Sequence, residues 1–218
     1  MSNNASKYSA EDEQTSKVSA RSKSVLLYRA AFLLAELMML FILKANHFYP
    51  FGTKSMLIMD MRDQNVEFLA SLRSMIHGDN SLFFSWARSM GGNYMGVFAF
   101  YISSPLSFLT LLFPVSKMPV AIEIITVLKI GLCSLTFVIY ANYLRRKYNG
   151  QRYFALLLPA IGYAFMSYTM VYSLSIMWLD GVIFLPLVLL GAEKILDGKR
   201  GICFIICYAL LCMSNYYT

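Results

Sequence analysis

VAIEIITVLKIGLCSLTFVIYANYLRRK, residues 120–147, decides how the rest of the chain is read. From Val120 to Tyr143 only Glu123 and Lys129 are charged, and the remainder is an almost unbroken apolar run. A helix rising 1.5 Å per residue needs about 20 such residues to cross a hydrocarbon core of about 30 Å. This run is long enough to span a membrane. It closes on Arg145-Arg146-Lys147, and short cationic loops stay on the cytoplasmic side. The segment therefore predicts both a span and its direction, with Val120 at the outer end.

Composition agrees. Of 218 residues, 58% are hydrophobic and only 14% charged, with a mean hydropathy of +0.55. Soluble domains rarely carry so few charges, so the class is an all-α, multi-pass membrane protein. The formal charge of +7 fits cationic cytoplasmic loops better than nucleic-acid binding. Cys133, Cys203, Cys207 and Cys212 all sit in apolar runs. They read as small packing residues, with neither a disulfide framework nor a metal-ligand pattern.

Upstream, residues 1–23 are rich in Ser, Lys and Glu and read as a disordered cytoplasmic tail. Residues 25–43 form a first span, preceded by Lys17, Arg21 and Lys23, which makes the N-terminus cytoplasmic. The run is too long for a cleaved signal peptide and reads as a signal anchor. A long external loop, 44–118, follows. Its apolar stretch 97–113 is interrupted by Ser103-Ser104-Pro105, and proline removes a backbone donor and disfavours helix just before it. If 97–113 spanned, Arg145 to Lys147 would lie outside. It is therefore read as two short helices on or dipping into the outer leaflet. Downstream, spans are expected at 154–173, 182–196 and 202–217. The Ile176–Gly181 turn then lies outside and Asp197 to Arg200 inside.

The external side collects the polar residues. Val66, Leu69, Leu72 and Ile76 recur at helical spacing, which predicts an amphipathic surface helix over 64–77. Asp63 stands at its N-cap and Gly78 supplies the stop. Asp60, Asp63 and Gln64 lead into this helix, Asn93 sits in a Gly/Asn turn, and Trp178 and Asp180 occupy the 176–181 turn. Asn215, Tyr216 and Tyr217 close the last span, and Arg62, Arg73 and Arg88 are cations of the same loop. A carboxylate at a membrane surface beside cations can take a proton from an acceptor hydroxyl while the cations stabilise a phosphate leaving group.

Plainer roles compete. Asp63 serves equally as a helix cap, and Asp180 as a turn residue, since Asp-Gly is a common turn pair. Trp178, Tyr216 and Tyr217 suit an aromatic belt, and Asn93 suits turn geometry. Asp60 has the weakest structural explanation, because it follows an apolar run and caps nothing. Two charges fall inside spans, Glu36 and Lys129. Each costs at least about 2.5–3.5 kcal/mol unpaired, so they are expected to face each other, with Glu123 as the alternative partner for Lys129.

The ordered set MDMRDQNVEFLASLR (59–73), MGGNYMGVFAFYISSPLSFLTLLFP (90–114), SIMWLDG (175–181) and SNYYT (214–218) resembles the YfhO family of bacterial membrane proteins. The resemblance covers residues 25–218 and is fairly specific as a set, though no single motif is. It implies a GT-C-type glycosyltransferase acting on the outer face. Such an enzyme moves a sugar from a polyprenyl-phosphate donor, such as undecaprenyl-phosphate glucose, to a cell-envelope acceptor such as lipoteichoic acid. By position it implies Asp60 as the catalytic residue, with inversion and no covalent intermediate; the residues themselves offer Asp63 or Asp180 as second candidates for the base, and Arg62 and Arg88 for the donor phosphate. Gln64, Asn93, Trp178, Asn215, Tyr216 and Tyr217 complete the expected substrate site. Family members are several times longer, so the chain is expected to be a fragment. A divalent metal shared by Asp60 and Asp180 is left open, because carboxylates without defined geometry select none. The rival readings are a transporter or lipid flippase, which would put its critical charges at mid-bilayer, and a non-catalytic assembly subunit, which would tolerate loss of Asp60.

Overall fold

The computed structural model describes residues 2–78, 81–86 and 90–214, with side chains from Ala20 onward. Its helices are α1 (Ser2–Ala45), α2 (Val66–Ile76), α3 (Met95–Val97), α4 (Met118–Lys147), α5 (Leu157–Ala164), α6 (Ser167–Tyr172), α7 (Leu179–Leu196) and α8 (Ile202–Ser214). The described strands are the short antiparallel pair β1 (Phe84–Ser85) and β2 (Gly92–Asn93). The chain is thus an all-α membrane protein. Among the described residues, three stretches are long and apolar enough to cross a bilayer: Ala20–Ala45, Val115–Lys147 and Ile176–Leu196.

α4 is the centre of the bundle. In its most apolar window 61% of the residues are buried, against 22% for α1. α1 therefore lies at the edge, turning Leu33, Leu37 and Phe41 outward and packing Ala31, Ala35 and Met39 inward. Small residues set the close approaches. A Cβ on Gly131 would stand 2.8 Å from Glu36 Cγ, and one on Gly191 would stand 2.5 Å from Phe204 Cα. Close helix contact of this kind is how spans associate where lipid is as apolar as leucine. α7 contains Pro186, which leaves the carbonyl four residues back without its helical donor. Tyr163 repairs this by donating its hydroxyl to Val182 O at 2.7 Å, as apolar surroundings require.

The first loop folds as the Pro105 reading anticipates. A helical piece over Met95–Ile102 and a tight helix over Pro105–Leu112 meet at 93°. Ser104 turns the corner, its Oγ accepting from Leu106 N–H at 3.3 Å with Pro105 opening the helix. Arg73 then donates to the carbonyls of Leu111 (2.9 Å) and Phe113 (3.0 Å), closing that helix against α2. α2 buries Leu69 and Leu72, and its chain leaves through Gly78 at φ +86°, the left-handed stop its sequence calls for.

Two differences from the sequence expectation stand out. α1 begins at Ser2, so helix continues through the polar segment read as disordered. Ala, Glu, Gln and Lys are good helix formers, and extending an existing helix avoids the nucleation cost. The stretch expected as one span over 154–173 is divided: α5 ends at Ala164, Met166 is extended (φ −62°, ψ 154°), and α6 restarts at Ser167. No glycine or proline stands at the break. The span expected over 202–217 is helix (α8) from Ile202 to Ser214, and its remaining residues lie outside the described ones.

Candidate functional site

At the end of the bundle away from Arg145–Lys147, two π-helical turns meet. The first, Met61–Asn65, follows Met59, which takes φ +50°, and leads directly into α2. The second, Phe98–Ile102, continues α3. Such turns are rare and concentrate at functional sites, because the extra residue per turn re-aims the side chains. They are joined by the Tyr101 hydroxyl, which donates to Gln64 Oε1 at 2.9 Å, and by Phe68 and Tyr101, whose ring centroids lie 4.6 Å apart. Met61 is fully buried with Ala121, Ile122, Ile125 and Ile176. It pins the first turn onto α4 and onto the short helix Ile176–Trp178.

That anchor leaves Asp60 exposed, and among the described residues its carboxylate makes no hydrogen bond or ion pair. Asp63 does not cap α2. It lies inside the π-turn, and its Oδ1 accepts from Arg62 Nε at 2.8 Å. The helical run starts a turn earlier than the apolar spacing suggests, which moves Asp63 off the cap. Asp63, hydrogen-bonded and oppositely charged, pushes the Arg62 guanidinium up from its ordinary value. The pair is exposed, so its net stabilisation is slight, and the outer nitrogens of Arg62 remain available to an anion. Arg73 is spent on the Leu111 and Phe113 carbonyls. Asn93 accepts the Met95 N–H at 2.9 Å, the turn role weighed for it. Beside it an open cavity of about 640 Å³ is lined by Asn93, Met95, Phe100 and Tyr101 among others.

Asp180 is where the sequence reading fails. It is not in an external turn: it occupies the first turn of α7, buried, with Oδ2 2.7 Å from Lys129 Nζ. Lys129 Nζ also donates to Ile176 O at 2.7 Å. The ammonium thus clamps the 176–180 segment to the middle of α4. Glu36 is not its partner, and neither is Glu123, which accepts the backbone N–H of Met56. Trp178, above the clamp, rests on Tyr172 with centroids 4.6 Å apart. It also borders an apolar cavity of about 340 Å³ with Tyr163, Met166, Tyr168 and Leu211.

Arg62, Asp63 and Gln64 therefore share one turn with Asp60 at its start, Gln64 reaches Tyr101, and Asp180 is buried in an ion pair with Lys129. Tyr101 was missed by sequence reasoning, although its place in MGVFAFYISSP beside Pro105 could have marked it. Arg88, Asn215, Tyr216 and Tyr217 lie outside the described residues. Among the described residues no group of three or more His, Cys, Asp or Glu is arranged to hold a metal ion.

A family model described as bacterial membrane protein YfhO matches residues 30–218. Searches of curated proteins and of solved structures found no match.

Proposed function

Since the chain belongs to the YfhO family of bacterial membrane proteins, we propose that it works as a GT-C-type glycosyltransferase. Its donor is a polyprenyl-phosphate sugar, and its acceptor a cell-envelope polymer such as lipoteichoic acid on the outer face. The observation that carries this reading is Asp60: an exposed carboxylate with no described partner, immediately before a π-turn anchored by a buried methionine. A base must be free to take a proton and fixed enough to meet it.

In this reading Asp60 removes the proton of the acceptor hydroxyl as its oxygen attacks the anomeric carbon. The bond from that carbon to the phosphate oxygen breaks, the configuration inverts, and the phosphate leaves with the electron pair. Arg62, held by Asp63, offers its outer nitrogens to that phosphate, with Arg88 as a second cation. Gln64, Tyr101 and Asn93 present hydrogen-bonding groups for sugar hydroxyls. Trp178 and its apolar cavity offer a surface for the lipid carrier. Of the two in-span charges that a transporter would use, Glu36 and Lys129, the lysine is turned onto Asp180 and the Ile176 carbonyl, which suits a clamp. Replacing Asp60 with Asn in the protein as it occurs in cells should leave expression and insertion normal. The envelope acceptor should then lack its sugar by mass spectrometry, and normal glycosylation would remove Asp60 from the role of base.

A further inference from the structure

The opposite end of the bundle holds two kinds of cation. Lys147 is neutralised, with Nζ 2.7 Å from Glu193 Oε2 and 2.8 Å from Asp197 Oδ1. Arg145 and Arg146 turn the other way, towards Tyr153 and α1, and meet no carboxylate among the described residues. Arg145 donates to Asn142 Oδ1 (3.0 Å) and Gly150 O (2.7 Å), and its guanidinium lies 3.6 Å from the centre of the Tyr153 ring. Arg146 donates to Ser24 Oγ at 2.5 Å. Ser24 is buried and is itself fixed through Ala20 O at 2.9 Å. Asn142, also buried, donates to Tyr28 Oη at 2.8 Å. These groups wall a cavity of about 660 Å³, lined by Ala20, Arg21, Ser24, Tyr28, Arg146 and Tyr153 together with Val25. Arg21 is exposed at its rim with no described partner.

Among the described residues, charge is therefore uncompensated in this pocket and compensated on the other side of α4. The Tyr153 phenol registers it. Burial alone would raise it, yet the Ser24 hydrogen bond and the charges of Arg145 and Arg146 hold it below its ordinary value. We propose that this pocket binds a phosphate ester, the headgroup of an anionic amphiphile at the membrane surface. Two guanidinium forks, Arg21 and Arg146, match the oxygens of a phosphate, and phosphate esters are the anions that a headgroup layer supplies. The pocket opens where a span meets the headgroup layer. Val25 and Leu26, exposed at 41% and 57%, continue an apolar path down the outer side of α1 for acyl chains. The proposal concerns the other end of the bundle and stands whether or not the sugar-transfer reading does.

Native mass spectrometry of the whole protein, released from bicelles of phosphatidylglycerol or of phosphatidylcholine, tests it. Phosphatidylglycerol adducts should dominate. Arg146→Gln and Arg21→Gln should each weaken retention by about tenfold, the worth of one charge-assisted hydrogen bond. Arg21 has no described structural role, so its variant reports on binding even if the Arg146 variant folds poorly. Arg200→Gln removes an equal charge outside the pocket and should change nothing. A second arm adds inorganic phosphate. Retained lipid adducts identify a lipid headgroup as the ligand, and displacement identifies a soluble phosphate ester at the same groups. Equal retention of both lipids, or equal loss from Arg21→Gln and Arg200→Gln, would overturn the proposal.

Discussion

Lys129→Met severs the clamp that holds the 176–180 segment, and its cost follows from the geometry. Lys129 and Asp180 have side chains 1% and 2% exposed and stand 2.7 Å apart, so the change orphans a carboxylate out of reach of water. Removing one partner of such a pair costs about 3–5 kcal/mol. The Ile176 carbonyl loses its lysine donor as well, which adds about 1 kcal/mol. For a chain of this length the total, about 4–6 kcal/mol, corresponds to a fall in Tm of roughly 8–24 °C. Asp180→Leu should be similarly damaging, because it orphans the ammonium. The double variant replaces both charges with apolar groups of comparable bulk, and pairs replaced in this way are often neutral or more stable. Thermal unfolding in detergent, followed by intrinsic fluorescence, gives all four corners of the cycle. The double variant should lie within about 2 kcal/mol of the parent. If it falls by the sum of the two single changes, the residues do not interact and the clamp is wrong.

Three further outcomes can be checked independently. Gly191→Ala would put a Cβ 2.5 Å from Phe204 Cα, so it should destabilise by about 1–3 kcal/mol in chemical denaturation; an unchanged midpoint would refute the close contact of α7 and α8. Asp197 is held below its ordinary 3.8 by hydrogen bonds from Lys147 and Tyr143 and by the charges of Lys147 and Lys199. Its stabilisation is therefore complete above that value and is lost as pH falls through the lower folded value, so Asp197→Asn should lower Tm at about pH 7 and the gap to the parent should narrow as pH falls below the ordinary carboxylate range, whereas a pH-independent gap would contradict this. Single cysteines at positions 60 and 93, in a background lacking Cys133, Cys203, Cys207 and Cys212, should react with a membrane-impermeant maleimide in intact cells, and one at 145 only after permeabilisation; the reverse pattern would invert the topology.

What the sequence revealed depended on how local the physics is. The spans at α1, α4 and α7 are set by length and apolarity alone, and both are readable residue by residue. The corner at Ser104-Pro105 and the stop at Gly78 follow from backbone chemistry at one or two positions, and they appear where expected. Asp180 could not be read this way. Asp-Gly is a local turn signal, but Leu179 and Asp180 open a helix because Lys129, 51 residues earlier, meets them in the interior. The expected Glu36–Lys129 contact assumed that neighbouring antiparallel spans pair their charges. Instead Glu36 lies against Gly131 and Lys129 faces α7. Asp63 was misread because a π-turn moves the helix start, and no periodicity of apolar residues encodes that. For the site, Asp60, Arg62 and Gln64 were visible as the polar knot after Met59. Tyr101 was not, because its bond to Gln64 depends on two turns folded against each other from 37 residues apart.

We propose Asp60 as the base of a sugar transfer at the end of the bundle opposite Arg145–Lys147. The most direct measurement reconstitutes the whole protein in proteoliposomes carrying a radiolabelled polyprenyl-phosphate sugar and follows label into the acceptor. The parent should transfer label. Asp60→Asn should lower kcat by about 10²–10⁴-fold with the KM for donor little changed, and Asp60→Glu should recover part of the rate. Transfer by Asp60→Asn at the parent's rate would contradict the account.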